Sequence, residues 1–155
     1  MSATSLKVSR SSVSDMSLGN QTNMGMLLGV LFLVMALLQL VGLSGLKDWL
    51  AAIGFTSEAS WAAIIIIVEI IAALGFFKLA LSPMVKTLTW ACALVASGFW
   101  FIENVRLISV GTTSQLTSSG FFGKYLQQSP GWWTVIEVTI LLFWTLYALG
   151  IDKEK

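Results

Sequence analysis

The sequence predicts an all-α membrane protein: a four-transmembrane-helix bundle with a short amphipathic segment between helices 1 and 2. Three observations carry this prediction. Apolar residues make up 56% of the 155 residues and charged ones only 11%, whereas a soluble domain carries about 25% charged residues. Mean hydropathy is +0.83. Four apolar stretches each reach the ~20 residues that a helix needs to cross ~30 Å of hydrocarbon. Those stretches do not alternate apolar and polar residues, as the strands of a membrane barrel would.

The chain opens with "MSATSLKVSRSSVSDMSLGNQTN", polar and Ser/Thr-rich, with Lys7 and Arg10. A signal peptide needs an apolar core close behind its positive charge and a small-residue cleavage site. Here the apolar run starts only near Met24, with no such site after it. Residues 1–22 read as a flexible polar tail, the first helix as retained, and 23–152 as one transmembrane domain.

The first span runs from about 24 to 45 and is interrupted only by Gln39. In the next stretch, "GLKDWLAAIGFTSEAS", Leu46, Trp49, Leu50 and Ile53 recur at helical spacing, with Lys47 and Asp48 on another face. That pattern suits a short amphipathic helix lying in the interface. The second span covers 61–82, and Pro83 marks its stop. The third covers 87–110 and the fourth 132–151. Between these two lies the longest loop, "GTTSQLTSSGFFGKYLQQSPG", whose Phe121, Phe122 and Tyr125 suit a contact with the membrane surface or a partner.

Positive charge sets the orientation. Lys7, Arg10, Lys78, Lys86, Lys153 and Lys155 fall on one side, and Lys47, Arg106 and Lys124 on the other. The positive-inside rule then places both termini in the cytoplasm. Trp61, Trp132 and Trp133 fall in an outer aromatic belt, and Trp90, Trp144 and Tyr147 nearer the inner side.

Polar groups inside the spans are the candidate site: Glu69, Gln39, Glu103, Arg106 and Glu137. Glu69 sits about 12 Å into its span at ~1.5 Å per residue, near mid-membrane. An acid at that depth costs about 2.5–3.5 kcal/mol on insertion scales. Without a nearby cation it keeps its proton, and the neutral acid can donate a hydrogen bond, for example to Gln39. A satisfied interhelical hydrogen bond is the structural reading of Glu69, and a proton relay or substrate-binding acid is the functional one. Glu103 and Arg106 are three apart on one helical face and can pair. Arg106 can instead bridge to Glu137, since a guanidinium fork serves two carboxylates. Ala62, Ala72, Ala73 and Gly75 near Glu69, the Ala93–Ala96–Ser97 face, and the Gly25–Gly29 GxxxG suit close helix contact.

Composition excludes much else. The chain has no histidine, which removes His-based metal and haem sites and His-containing catalytic triads. Its lone Cys92 forbids an internal disulfide. A net charge of +1, with no basic cluster, gives no basis for nucleic-acid binding. There is no Gly-rich phosphate loop, CxxC or nucleophile beside a base. No metal, no catalytic residue and no intrinsic cofactor are expected.

A first span, the amphipathic "LKDWLAAIGF", a second span of the form A-x(6)-E-x(5)-G (Ala62, Glu69, Gly75) and two further spans at this length resemble the DoxX-like group of small four-helix membrane proteins. The resemblance implies an association with quinone-dependent oxidation or with the maturation of redox enzymes. Because the chain supplies no redox centre, such a role requires a partner or a diffusible quinone, with bound lipid or quinone as the implied ligand. The expected function is an accessory or structural subunit of a larger membrane complex, in the bacterial plasma membrane. Its expected partners are membrane lipid and other subunits or further copies of itself. The alternative is a small proton-coupled transporter or channel that uses Glu69 as its protonatable site. A membrane enzyme acting on a lipid or quinone through Glu103, Arg106 and Glu137 is the third reading.

Overall fold

The computed structural model describes residues 11–77, 79–111, 120–122, 129 and 131–153, with side chains described within 23–150. Lys78 and Tyr125 lie outside the described residues. Five helices follow in order: α1 (Ser11–Val41), α2 (Leu43–Ala52), α3 (Glu58–Phe76), α4 (Pro83–Val110) and α5 (Trp132–Lys153). Among the described residues there is no strand. The stretch Asn23–Val41 of α1, together with α3, α4 and α5, is long and apolar enough to cross a membrane. Among the described residues the chain is all-helical, with the four spans of an integral membrane protein.

Helix ends differ from the sequence reading at several points, each for a local reason. α1 begins at Ser11, so helix already runs through residues 11–22 ahead of the apolar span; this segment contains no proline to stop a helix. At its other end α1 stops at Val41. The Gly42 amide donates to Leu38 O at 2.8 Å, and the Gly42 carbonyl accepts from Leu46 N at 3.2 Å. The glycine thus closes one helix and caps the next, and residues 43–45 belong to α2 and not to the first span. α3 ends at Phe76, six residues short of the expected boundary, and Phe77 is extended (φ −78°, ψ 151°). Pro83 begins a helix here and does not end one. Ser82 is extended, as a residue before proline must be, and its Oγ accepts from Val85 N at 3.4 Å. Proline at the first helical position loses nothing, because its amide would have no partner there.

The packing order is α1–α3–α4–α5, with α5 only lightly touching α1. α1 and α3 meet at a glycine: a Cβ on Gly29 would lie 3.0 Å from Phe76 Cβ and 3.1 Å from Ala73 O. α3 and α4 approach still closer, where a Cβ on Gly75 would overlap the Thr89 side chain. The GxxxG glycines are therefore unequal, since Gly25 has nothing within 4 Å. Small residues set helix separation in lipid, where no hydrophobic driving force pulls helices together.

α2 is amphipathic as expected, but its apolar face turns into the protein. Leu46, Trp49 and Leu50 are buried. Likewise, Phe121 of the long loop is only 2% exposed, contrary to a role at the membrane surface or a partner. Its ring lies edge-on to Trp100 at 5.3 Å. Gly120 makes this insertion possible. It has φ +75°, and a Cβ there would lie 2.5 Å from the Trp49 ring.

Gly75→Ala should lower stability by about 1–3 kcal/mol through overpacking, read as a shifted midpoint of denaturant unfolding in detergent. Gly25→Ala, on an open helix surface, should be neutral or gain up to about 1 kcal/mol from helix propensity. Equal effects at the two positions would contradict the close α3–α4 approach.

Candidate functional site

Three helices carry their inward faces at the 3.6-residue period of a buried stripe. On α1 the stripe is Leu28, Phe32, Met35, Ala36 and Gln39. On α3 it is Ala62, Ile65, Ile66, Glu69, Ala72 and Ala73. On α4 it runs through Thr89, Ala93, Ala96, Ser97, Trp100, Asn104 and Leu107. Each stripe contains a polar side chain, and these meet. Gln39 and Glu69 are 0% exposed. Gln39 Nε2 donates to Glu69 Oε1 at 3.1 Å. Trp100 Nε1 donates to the same oxygen at 2.7 Å. Gln39 Nε2 also donates to the Phe121 carbonyl at 3.1 Å, so both amide hydrogens are used.

Small side chains explain why the acid can reach both donors. Ala62, Ala72 and Ala73 on α3 and Ala93 and Ala96 on α4 are all buried, and they keep the backbones close. Ser97, buried on the same stripe, returns its hydroxyl to Ala93 O at 2.8 Å and takes no part in the cluster. Trp100 is clamped by rings: Trp49 at 5.3 Å, Phe99 at 5.3 Å and Phe121 at 5.3 Å. Its N–H is thereby aimed, since the indole cannot swing without displacing three aromatic neighbours.

Two atoms of this cluster have no partner within the protein: Glu69 Oε2 and Gln39 Oε1. They belong to the two side chains that the Gln39 Nε2–Glu69 Oε1 bond already joins. A neutral acid has one hydrogen to donate, and Gln39 Oε1 is an unpartnered acceptor on the side chain it already bonds. An ionised acid leaves two acceptors buried side by side, each at a cost of about 1–3 kcal/mol. The chemistry open to this group is to hold, give up or take one proton, with Gln39 as the immediate neighbour in that exchange.

The other sequence-selected residues lie apart from this cluster. Glu103 and Arg106 pair with each other: Arg106 Nη2 and Nε lie 2.7 and 2.8 Å from Glu103 Oε2. Arg106 Nη2 also donates to Ile53 O at 3.2 Å. The guanidinium fork therefore serves a carboxylate and the end of α2, in place of a bridge to Glu137. Glu137, on α5, is half-buried, and its Oε2 has no partner. No group of three metal-binding side chains occurs among the described residues.

The sequence reading did not bring Trp100, Trp49 and Phe121 to Glu69 and Gln39. Trp100 was findable, because it continues the Ala93–Ala96–Ser97 face by one further turn. Phe121 was not, since nothing local says that a loop folds into a bundle.

Glu69→Gln keeps an oxygen that accepts from Gln39 and Trp100 and replaces the other oxygen by a neutral donor; its stability should fall by less than about 1 kcal/mol. Glu69→Ala strands the Gln39 and Trp100 donors and opens a void, and should lose about 2–5 kcal/mol. Denaturant titration in mixed micelles measures both. Arg106→Ala should change stability by no more than about 1 kcal/mol, since the guanidinium is 45% exposed and such pairs are weak. Comparison with protein-family profiles, curated proteins and solved structures finds no match to this chain.

Proposed function

We propose that the chain is an accessory or structural subunit of a larger membrane complex, in a bacterial plasma membrane with both termini cytoplasmic. One observation carries this reading: the acid at mid-span is wholly enclosed and tied to its own fold by Gln39 and Trp100. A group held this way fixes three helices against one another. Redox work, as the DoxX-like resemblance implies, would fall to a partner or a diffusible quinone.

The outward surface supplies a place for that partner. Along α5, Trp133, Ile136, Ile140, Phe143 and Tyr147 are exposed. A groove against Met24 of α1 is lined by Ile140, Phe143, Trp144 and Tyr147. α1 and α5 touch only lightly here, so a neighbouring transmembrane helix fits the seam.

A second reading rests on the acid–amide pair, which carries one transferable proton. In that reading Glu69 is the protonatable site of a small proton-coupled carrier or channel, since intramembrane acids mark such pathways.

Two measurements separate these readings. After gentle extraction, the subunit reading expects co-migration with the same larger partners, and a cysteine at Phe143 should crosslink to one of them; recovery of the chain with lipid alone would contradict it. Reconstituted by itself under a pH gradient, the chain should pass no protons. Flux that is lost in Glu69→Gln would establish the carrier instead.

A further inference from the structure

α2 packs on α3 and α1 but not on α4. Where its end comes near the last turns of α4, a cavity of about 200 Å³ opens, lined by Ala52, Ile53, Arg106, Leu107 and Val110. Its walls are apolar except for the guanidinium. Glu103 Oε2 takes Arg106 Nε and Nη2 at 2.8 and 2.7 Å, and Ile53 O takes Nη2 at 3.2 Å. A guanidinium carries five N–H donors, and those on Nη1 have no acceptor among the described residues. The Arg106 side chain is 45% exposed, so a ligand can reach it from outside the protein. Arg106 lies one turn before Val110, the end of α4, or about 6 Å along the helix axis. Consecutive spans alternate in direction, so Trp132 and Trp133, which open α5, lie at this same end. Both are exposed, and tryptophans of that kind mark the membrane–water interface.

We propose that this cavity binds the phosphodiester of a membrane phospholipid through the unclaimed N–H groups of Arg106. A guanidinium matches the oxygens of a phosphate with parallel donors. The cavity sits at the interface, where lipid phosphates lie, and its volume is several times what one water needs. The surface below it suits the rest of the lipid. Ile102 and Gly98 continue the Arg106 row of α4 toward the membrane interior, one and two turns back. Ile102 is 61% exposed, and a Cβ on Gly98 would meet nothing within 4 Å. An acyl chain therefore has an open apolar track leading down from the phosphate. Glu103 already offsets the charge of Arg106, so recognition rests on directed donors and not on net charge. The site accordingly takes zwitterionic and anionic phospholipids alike, because both carry the phosphodiester. A bound lipid would close the gap that α2 leaves beside α4, whether the chain works as a subunit or as a carrier.

Solid-state NMR on the full chain tests this, in bilayers of phosphatidylethanolamine and phosphatidylglycerol made without phosphate buffer. The chain has two arginines, Arg10 and Arg106, so ¹⁵N-arginine labelling in an Arg10→Lys background reports on Arg106 alone. Lipid ³¹P should dephase the Arg106 Nη signal as a direct N–H···O–P bond does, and no dephasing overturns the proposal. Ala52→Phe fills the cavity from the exposed end of α2 and leaves the guanidinium and Glu103 in place. It should cut the dephasing at least twofold; unchanged dephasing means general contact with surrounding lipid and overturns the site. If Ala52→Phe does not fold, Val110→Phe fills the cavity from the opposite wall at a 66% exposed position and is read the same way. Exchanging phosphatidylglycerol for phosphatidylcholine should change the dephasing by less than twofold, and its loss overturns the phosphodiester as the group recognised. Dephasing that appears only after inorganic phosphate is added reveals an adventitious ion only, and also overturns the proposal.

Discussion

Glu69 Oε1 accepts from α1 through Gln39 and from α4 through Trp100. In hydrocarbon an unsatisfied polar group is costly and has no water to turn to. The acid, the amide and the indole therefore have few alternatives to one another, and that lack fixes the relative rotation of three helices. Apolar packing alone would not do so, because lipid tails are as apolar as the side chains they would replace. The alanines and glycines around the cluster follow from the same requirement: a short carboxyl reaches donors on both sides only if the backbones come close.

One half of the bundle follows from where α1 stops. Gln39 lies two residues from the end of its helix, yet it meets Glu69 well inside α3. α3 and α4 thus run on past the end of α1. α2 and the Gly120–Phe121 turn fill that place, with Leu46, Trp49, Leu50 and Phe121 all buried. The second amide hydrogen of Gln39 goes to the Phe121 carbonyl, so one side chain ties the end of α1 both to the central acid and to the inserted loop. A change in the proton on Glu69 is felt first by Gln39 and next by this loop. This linkage is what a proton-handling role would draw on, and what a structural role holds still.

Charge is distributed in keeping with this division. The Glu103–Arg106 pair sits at the edge of the core, partly exposed, and binds the end of α2 through Ile53 O. Its contribution is orientation more than stability, because exposed ion pairs are screened and weak. The buried centre holds no cation partner for Glu69 among the described residues, and hydrogen bonds to neutral donors take that part.

The sequence by itself determined the class of the protein and the number of its spans, because a bilayer demands long apolar helices and tolerates little else. It also marked Glu69 and Gln39 as the groups that had to find partners, and it marked the apolar face of α2 through Leu46, Trp49 and Leu50 but set that face against the membrane interface instead of the bundle. Helix ends were less legible. The apolar run through Gly42 and the run up to Pro83 look continuous in composition, whereas their breaks depend on backbone geometry and capping. Only the tertiary structure decided that Trp100 would complete the acid's shell, that Arg106 would choose Ile53 over Glu137, and that Phe121 would turn inward. These outcomes depend on which helices are neighbours and at what height they meet, and a one-dimensional pattern of apolar and polar residues holds no term for either.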